Sequence, residues 1–129
     1  MSEYDMEEIA LKLVAPSKGI LAADESTGTI QKRLDSIGVE STDESRRDYR
    51  EMLFTAEGIS DYISGVILYD ETLRQTAKDG RRLAEVLSDQ GIIPGIKVDM
   101  GAKGLAFTDG ELVTEGLDGL RDRLAEYYK

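Results

Sequence analysis

Unbroken apolar runs separated by stretches with helical spacing organise the chain. Gly19, Ile20, Leu21, Ala22 and Ala23 form the first run, with Ser17 and Lys18 before it and Asp24, Glu25 and Ser26 after it. Without polar alternation it predicts a strand buried on both faces. Residues 62–69 are β-branched and aromatic and end at Asp70 and Glu71, and residues 92–99 form a third candidate strand. Between the strands, spacings of three and four recur. Met6, Ile9 and Leu13 mark a helix that ends near Ala15 and Pro16. Ile30, Leu34 and Ile37 predict a helix over 27–37, with Gly38 as a left-handed stop. Ser41 and Glu44 have capping-box spacing, and Tyr49, Met52 and Leu53 supply the apolar stripe of a helix over 42–56. Leu83, Val86 and Leu87 follow the Asp79-Gly80 turn as a helix closed by Gly91, and Leu117, Leu120, Leu124 and Tyr127 define a last one. Glycines and short loops fill residues 100–110, where Asp109-Gly110 has the form of a hairpin turn.

Strands alternating with helices at this spacing predict parallel βα units, hence an α/β fold. Three strands of buried composition are an awkward total, because a parallel sheet needs cover on both faces and neighbours at its edges. A complete (β/α)8 TIM barrel takes about 250 residues, and this chain has 129. The expectation is one partial domain over 1–129, holding the first three βα units of such a barrel and incomplete in this chain.

Composition narrows the chemistry. With 26 acidic and 16 basic side chains the net charge is −10, which argues against a nucleic-acid partner. Cysteine and histidine are both absent. That excludes disulfide scaffolds, Cys/His zinc sites, cysteine nucleophiles and Ser-His-Asp triads, leaving lysine, carboxylates, tyrosine, hydroxyls and arginine. No stretch approaches the roughly 20 apolar residues of a membrane span. Residues 1–8 are acidic and lack the basic and apolar regions of a secretory signal. A soluble, cytoplasmic protein with no membrane partner is the expectation.

In parallel α/β folds ligands bind where the strands end and the next helices begin. The first strand ends in Asp24, Glu25, Ser26 and Thr27, the second in Asp70 and Glu71, and the third in Lys97, Val98 and Asp99. Ordinary explanations stand beside the functional ones. Asp24, Ser26 and Thr27 precede a helix and could cap it. Asp70 and Glu71 suit a helix start. Arg33, Arg46, Arg47 and Arg50 fit solvated helix faces. Lys97 in an apolar strand resists this treatment, because an unpaired ammonium is costly to bury, although an edge-strand charge is an alternative. No nucleotide-binding glycine motif is present. Gly101, Ala102, Lys103 and Gly104 suggest a flexible loop more than an anion nest. The helix opening near Thr27 could hold a phosphate with help from Ser26, Thr29 and Arg33.

These residues carry a resemblance. The segment from Leu13 through Ala15-Pro16-Ser17-Lys18-Gly19-Ile20-Leu21-Ala22-Ala23-Asp24-Glu25-Ser26-Thr27-Gly28-Thr29-Ile30 to Lys32-Arg33-Leu34 resembles the amino-terminal part of class I fructose-bisphosphate aldolases. The likeness continues in collinear order through Ser36-Ile37-Gly38, Arg46-Arg47, residues 64–68, residues 91–99 and residues 115–120. It implies a (β/α)8 barrel in which a lysine forms a Schiff base with the substrate ketone, without metal or other cofactor. The sugar bisphosphate is then cleaved to dihydroxyacetone phosphate and glyceraldehyde 3-phosphate. Residue by residue, the resemblance implies that Asp24 positions or polarises the substrate and that Lys97 lies near its phosphate and hydroxyls. It likewise implies that Ser26, Thr29, Arg33 and Arg46 hold phosphates, Thr29 standing where some members have serine. Met100 replaces a lysine of animal members, and Ala102-Lys103-Gly104 departs from their Val-Val-Pro, as in bacterial or plant-like members. The Schiff-base lysine of the family lies on its sixth strand, so the resemblance assigns none in this chain and implies that the chain alone is inactive. Its implied partners are a phosphorylated sugar, the rest of the barrel and, at full length, further copies of itself. Two other readings fit the residues: an Mg²⁺ site of Asp24, Asp70, Glu71 and Asp99, or a non-catalytic barrel half that pairs with another.

Overall fold

The computed structural model describes residues 5–129, so residues 1–4 of the acidic start lie outside the described part. The chain divides into two compact units, the first reaching to Ile96 and the second covering Lys97–Lys129.

In the first unit, β1 (Gly19–Ala23), β2 (Ile63–Leu68) and β3 (Ile93–Ile96) form a parallel sheet in the order β1-β2-β3. Ala23 pairs with Leu68, and Leu68 with Ile96, which aligns the carboxyl ends of all three strands. The helices are α1 (Met6–Leu13), α2 (Thr27–Asp35), α3 (Asp43–Phe54), α4 (Ile59–Tyr62), α5 (Asp70–Arg74) and α6 (Leu83–Ser88). Val66 and Leu68 of β2, Ala23 of β1, Phe54 of α3, Leu83, Val86 and Leu87 of α6, and Ile92 form one buried cluster. α1 docks where β2 has no side chain: a Cβ at Gly65 would collide with Leu13. The neighbouring Ser64 hydroxyl donates to the Leu13 carbonyl at 2.6 Å, which ties the end of α1 to the sheet.

Several expectations need correction. Only β2 is buried along most of its length. In β1, Leu21 and Ala23 turn inward while Ile20 and Ala22 are exposed, and β3 is exposed at Pro94 and Gly95. As the outer strands of a three-stranded sheet they are paired on one side only, so an unbroken apolar run does not bury both faces. The third strand stops at Ile96, three residues short of the expected end, and Tyr62 belongs to α4 instead of β2. α2 ends at Asp35, and Ile37 lies beyond it, 71% exposed.

The N-cap of α3 is Thr42, one residue after the expected Ser41. Thr42 Oγ1 accepts from the Ser45 amide at 3.1 Å, and Ser45 Oγ accepts from the Thr42 amide at 2.9 Å. The box has the same spacing of three, with a serine hydroxyl in place of a glutamate. The buried face of α3 also differs from the expected stripe. Arg50 and Phe54 are buried, whereas Met52 is 59% exposed.

The second unit holds an antiparallel hairpin of β4 (Ala102–Gly104) and β5 (Leu112–Thr114), followed by α7 (Leu120–Tyr127). The expected flexible loop at Gly101–Gly104 is therefore a strand from Ala102 onward, because Ala102 pairs with Thr114, Lys103 with Val113 and Gly104 with Leu112. The last helix opens at Leu120, and Leu117 is exposed ahead of it. Gly116 has φ 148°, and a Cβ there would lie 3.0 Å from both Asp99 Cα and the Val98 carbonyl oxygen. Only glycine permits that approach.

Candidate functional site

At the carboxyl end of β1 the chain passes through Asp24 and Glu25 into α2. Asp24 is half-buried directly after the last residue of the strand. Ser26 occupies the N-cap position of α2, yet its side chain accepts no amide hydrogen bond there. Its hydroxyl instead shares a 3.2 Å hydrogen bond with the Thr29 hydroxyl. Both residues are exposed. Capping thus does not account for the Ser26 side chain, and two hydroxyls stand together at the positive end of the helix.

Arg33, one turn further along α2, is exposed. Its Nη1 donates to Glu25 and, at 2.8 Å, to the Tyr49 hydroxyl of α3. The Tyr49 hydrogen bond and the Glu25 charge raise the already high Arg33 pKa, so this guanidinium stays charged.

Arg46 reaches the same region from α3. Its Nε donates to Glu71 Oε1 at 2.8 Å, and its Nη1 donates to the Ser41 hydroxyl at 3.2 Å. Glu71, in the first turn of α5 at the carboxyl end of β2, collects further donors. Arg50 Nη1 reaches Oε1 at 2.8 Å, Gln75 Nε2 reaches Oε1 at 3.1 Å, and the Thr27 hydroxyl reaches Oε2 at 3.1 Å. Burial pushes the Glu71 carboxyl up. The hydrogen bonds from Arg46, Arg50 and Thr27 and the Arg50 charge outweigh it, holding the group below the usual glutamate value.

The sequence places Glu25 and Glu71 at strand ends, Arg50 on a helix face and Tyr49 in an apolar stripe, but it pairs none of them with the candidate site residues as the structure does. Arg50 is 1% exposed and also donates to Gln75 Oε1 at 2.8 Å, so it is no solvated surface charge. The available signal was positional. Arg46, Arg50 and Phe54 fall at i, i+4 and i+8, one face of a helix, and Phe54 is apolar.

The second unit carries Lys97, which follows β3 instead of lying inside it. The argument from burying an unpaired ammonium therefore fails: Lys97 is 32% exposed and its Nζ lies 2.5 Å from Asp99 Oδ1. Asp99 Oδ2 accepts from the Gly101 amide at 3.0 Å. The Lys97 and Gly101 hydrogen bonds lower the Asp99 pKa. Arg123 of α7 braces this segment, donating to the Val98 carbonyl at 3.0 Å and to the Gly116 carbonyl at 2.7 Å.

The structure thus joins Ser26 to Thr29 directly, and it links their helix to Arg46 through Thr27 and Glu71. Arg33 has separate partners, and Lys97 is held within its own unit by Asp99. Among the described residues, no three acidic side chains gather as a metal site would require. Asp70 pairs with Arg74, and Glu71 with Arg46 and Arg50. The Mg²⁺ reading therefore finds no ligand set. No helix among the described residues is long and apolar enough to cross a membrane.

The family model described as "Glycolytic: Fructose-bisphosphate aldolase class-I" matches residues 5–129. A probable fructose-bisphosphate aldolase class 1 of Xanthomonas campestris is 61% identical over 99% of this chain, which corresponds to 38% of that relative. Fructose-bisphosphate aldolase C of Carassius auratus is 56% identical over 97% of this chain and 35% of its own length. Among solved structures, fructose-bisphosphate aldolase of Plasmodium falciparum, in complex with TRAP and a small-molecule inhibitor, superposes with a TM-score of 0.89 at 52% identity. That match covers 93% of this chain and 35% of the solved one. The chain spans less than two fifths of the length of these relatives, and it belongs to the class I fructose-bisphosphate aldolase family.

Proposed function

We propose that this chain is one partial domain, the first three βα units of a (β/α)8 barrel that cleaves fructose 1,6-bisphosphate reversibly through a Schiff base. The observation that carries the reading is the family match along residues 5–129. The position of Asp24 at the end of a parallel strand supports it, because barrel chemistry is placed at that edge.

In the proposed reaction a lysine outside this chain condenses with the C2 ketone. The resulting iminium accepts the electron pair of the C3–C4 bond as that bond breaks, while the C4 hydroxyl proton passes to a base. Glyceraldehyde 3-phosphate leaves. The enamine is protonated at C3 and hydrolysed to dihydroxyacetone phosphate. Asp24 and Lys97 are the catalytic residues this chain would contribute, acting on the substrate hydroxyls and phosphate. Ser26, Thr29, Arg33 and Arg46 would hold phosphate groups. The proposed enzyme is cytoplasmic and assembles from several copies once the barrel is complete.

Borohydride trapping with dihydroxyacetone phosphate tests the division of labour. The complete enzyme should form a stable adduct and turn over, and this chain alone should do neither. A trapped adduct with turnover on the isolated chain would overturn the assignment of the Schiff-base lysine to another part of the barrel. A complete enzyme without aldolase activity would overturn the reading itself.

A further inference from the structure

Glu71 lies among residues to which the proposed function assigns phosphate binding, and has no assigned part of its own. It sits where three elements meet. Its own helix α5 opens at the end of β2, Arg46 and Arg50 come from α3, and Thr27 is the first residue of α2. One carboxylate oxygen takes Arg46 Nε and Arg50 Nη1, each at 2.8 Å, and the other takes the Thr27 hydroxyl at 3.1 Å. The Thr27 contact falls between Ser26 and Thr29, the two residues whose hydroxyls meet at the start of α2. Fixing Thr27 therefore fixes the turn that presents them. The Arg46 contact engages only Nε of its guanidinium, while Nη1 is turned to Ser41. This sets the orientation of the fork without consuming all its donors.

We infer that Glu71 is a positioning residue that registers the start of α2 against Arg46, so that the Ser26 and Thr29 hydroxyls and the Arg46 guanidinium are presented to one phosphate group as a single arrangement. Glu71 itself touches no substrate. A carboxylate would repel a phosphate directly, and this one has its charge directed at two guanidinium groups and a hydroxyl. The inference deepens the aldolase reading and rests on its assignment of Ser26, Thr29 and Arg46.

The test uses the complete enzyme with fructose 1,6-bisphosphate, measuring kcat, KM and thermal midpoint. Glu71→Gln should raise KM with little change in kcat, because phosphate contacts are made alike in the ground and transition states. Loss of stability in that variant is expected too, since Arg50 is buried beside it. Thr27→Val therefore serves as the second variant, because it removes one hydroxyl and leaves both arginine pairs in place. It should raise KM about three- to tenfold, as expected when one hydrogen bond that orders a binding element is lost. Thr27→Ser, which keeps the hydroxyl, should restore the parent KM. A role confined to stability predicts the opposite pattern, with the midpoint falling and KM unmoved in Glu71→Gln and Thr27→Val, and that result would overturn the inference. If the parent enzyme is active and Thr27→Val matches it in KM, the inference falls while the aldolase reading stands. If the parent shows no aldolase activity, both fall together.

Discussion

The chain has two phenylalanines, and they occupy opposite extremes. Phe54, at the end of α3, is wholly buried, whereas Phe107, beyond β4 in the second unit, is fully exposed. The contrast extends to the units around them. Every buried hydrophobic residue lies at or before Ile92, and no residue from 97 to 129 is buried. The first unit is held by apolar area that α3 and α6 cover on the sheet. The second is held by a short β ladder, by the Met100 and Glu115 amides that exchange hydrogen bonds with Glu115 and Gly101, and by the Arg123 bridges. Apolar burial supplies most of a domain's stability, while each exposed hydrogen bond adds little against competing water. The two units should therefore respond differently to the same kind of substitution.

The largest effect expected is at Phe54. Phe54→Ala leaves a cavity in the buried cluster that Phe54 shares with Val66, Leu68 and Leu87 and should destabilise the fold by about 3–5 kcal/mol, measured by urea unfolding followed by circular dichroism. A loss below about 1 kcal/mol, the level typical of an average surface or boundary change, would break the comparison by showing that the first unit is loosely packed.

Glu71 gives the next effect, through charge instead of apolar area. Glu71→Ala strands Arg50 in the interior and should cost about 3 kcal/mol, as one-sided removal of a buried ion pair does. The pH dependence has a definite sign. The folded-state pKa is held below the usual 4.5, so the stabilisation is fully present above that value and is lost as pH falls through the lower, folded-state one. The stability gap between the parent and Glu71→Gln should therefore be constant from neutral pH down to about 5 and close on further acidification. A gap that stays open at the lowest pH would mean that Glu71 contributes no charge-dependent stability.

In the second unit the analogous weak point is backbone. Gly116→Ala must place a Cβ 3.0 Å from two backbone atoms at a φ of 148°, and should cost about 1–3 kcal/mol locally. Hydrogen exchange at the Met100 and Glu115 amides would report it, because both are bonded across this junction. Unchanged exchange at these amides would show that Gly116 is not what holds the Lys97–Asp99 segment.

These differences track what was legible in the sequence. The three strands of the first unit were visible as apolar runs because local composition decides them. Their ends were overshot at Tyr62 and at Lys97 because strand pairing, which composition does not record, sets where a ladder stops. The start of α2 was legible through its Ser-Thr-Gly-Thr run, including the two hydroxyls that meet there. Beyond its place on the Phe54 face of α3, the partners of Arg50 were not legible, since Glu71 and Gln75 lie 21 and 25 residues away. The Arg46–Glu71 link is hidden for the same reason: by position Glu71 fits a helix opener or a Mg²⁺ ligand, and neither reading names a guanidinium 25 residues away. In the second unit the last helix and the Asp109-Gly110 turn are legible, although the helix opens at Leu120 and leaves Leu117 outside it. Three-residue strands are too short for alternation to register, so β4 passed for loop.

The smallest effect belongs to the other phenylalanine. Leu105 to Thr108 form a turn closed by the Thr108 amide on the Leu105 carbonyl at 3.3 Å, and Phe107 takes the third position with φ 62°. A positive φ there is the signature of a type II turn, which glycine or asparagine fills without steric cost and a bulky side chain does not. Because Phe107 is fully exposed, its ring gives nothing back through burial. Phe107→Asn should therefore stabilise the hairpin, by about 0.5–1 kcal/mol, part of the left-handed penalty of an ordinary L residue. Slower exchange of the Leu105 amide, which bonds to the Glu111 carbonyl across the hairpin, is the expected readout. Phe107→Ala separates the two contributions: it removes the ring but keeps a Cβ at positive φ, and should leave exchange close to that of the parent. Faster exchange in both variants would mean that the ring makes a stabilising contact after all, and that the two phenylalanines differ less than their exposure indicates.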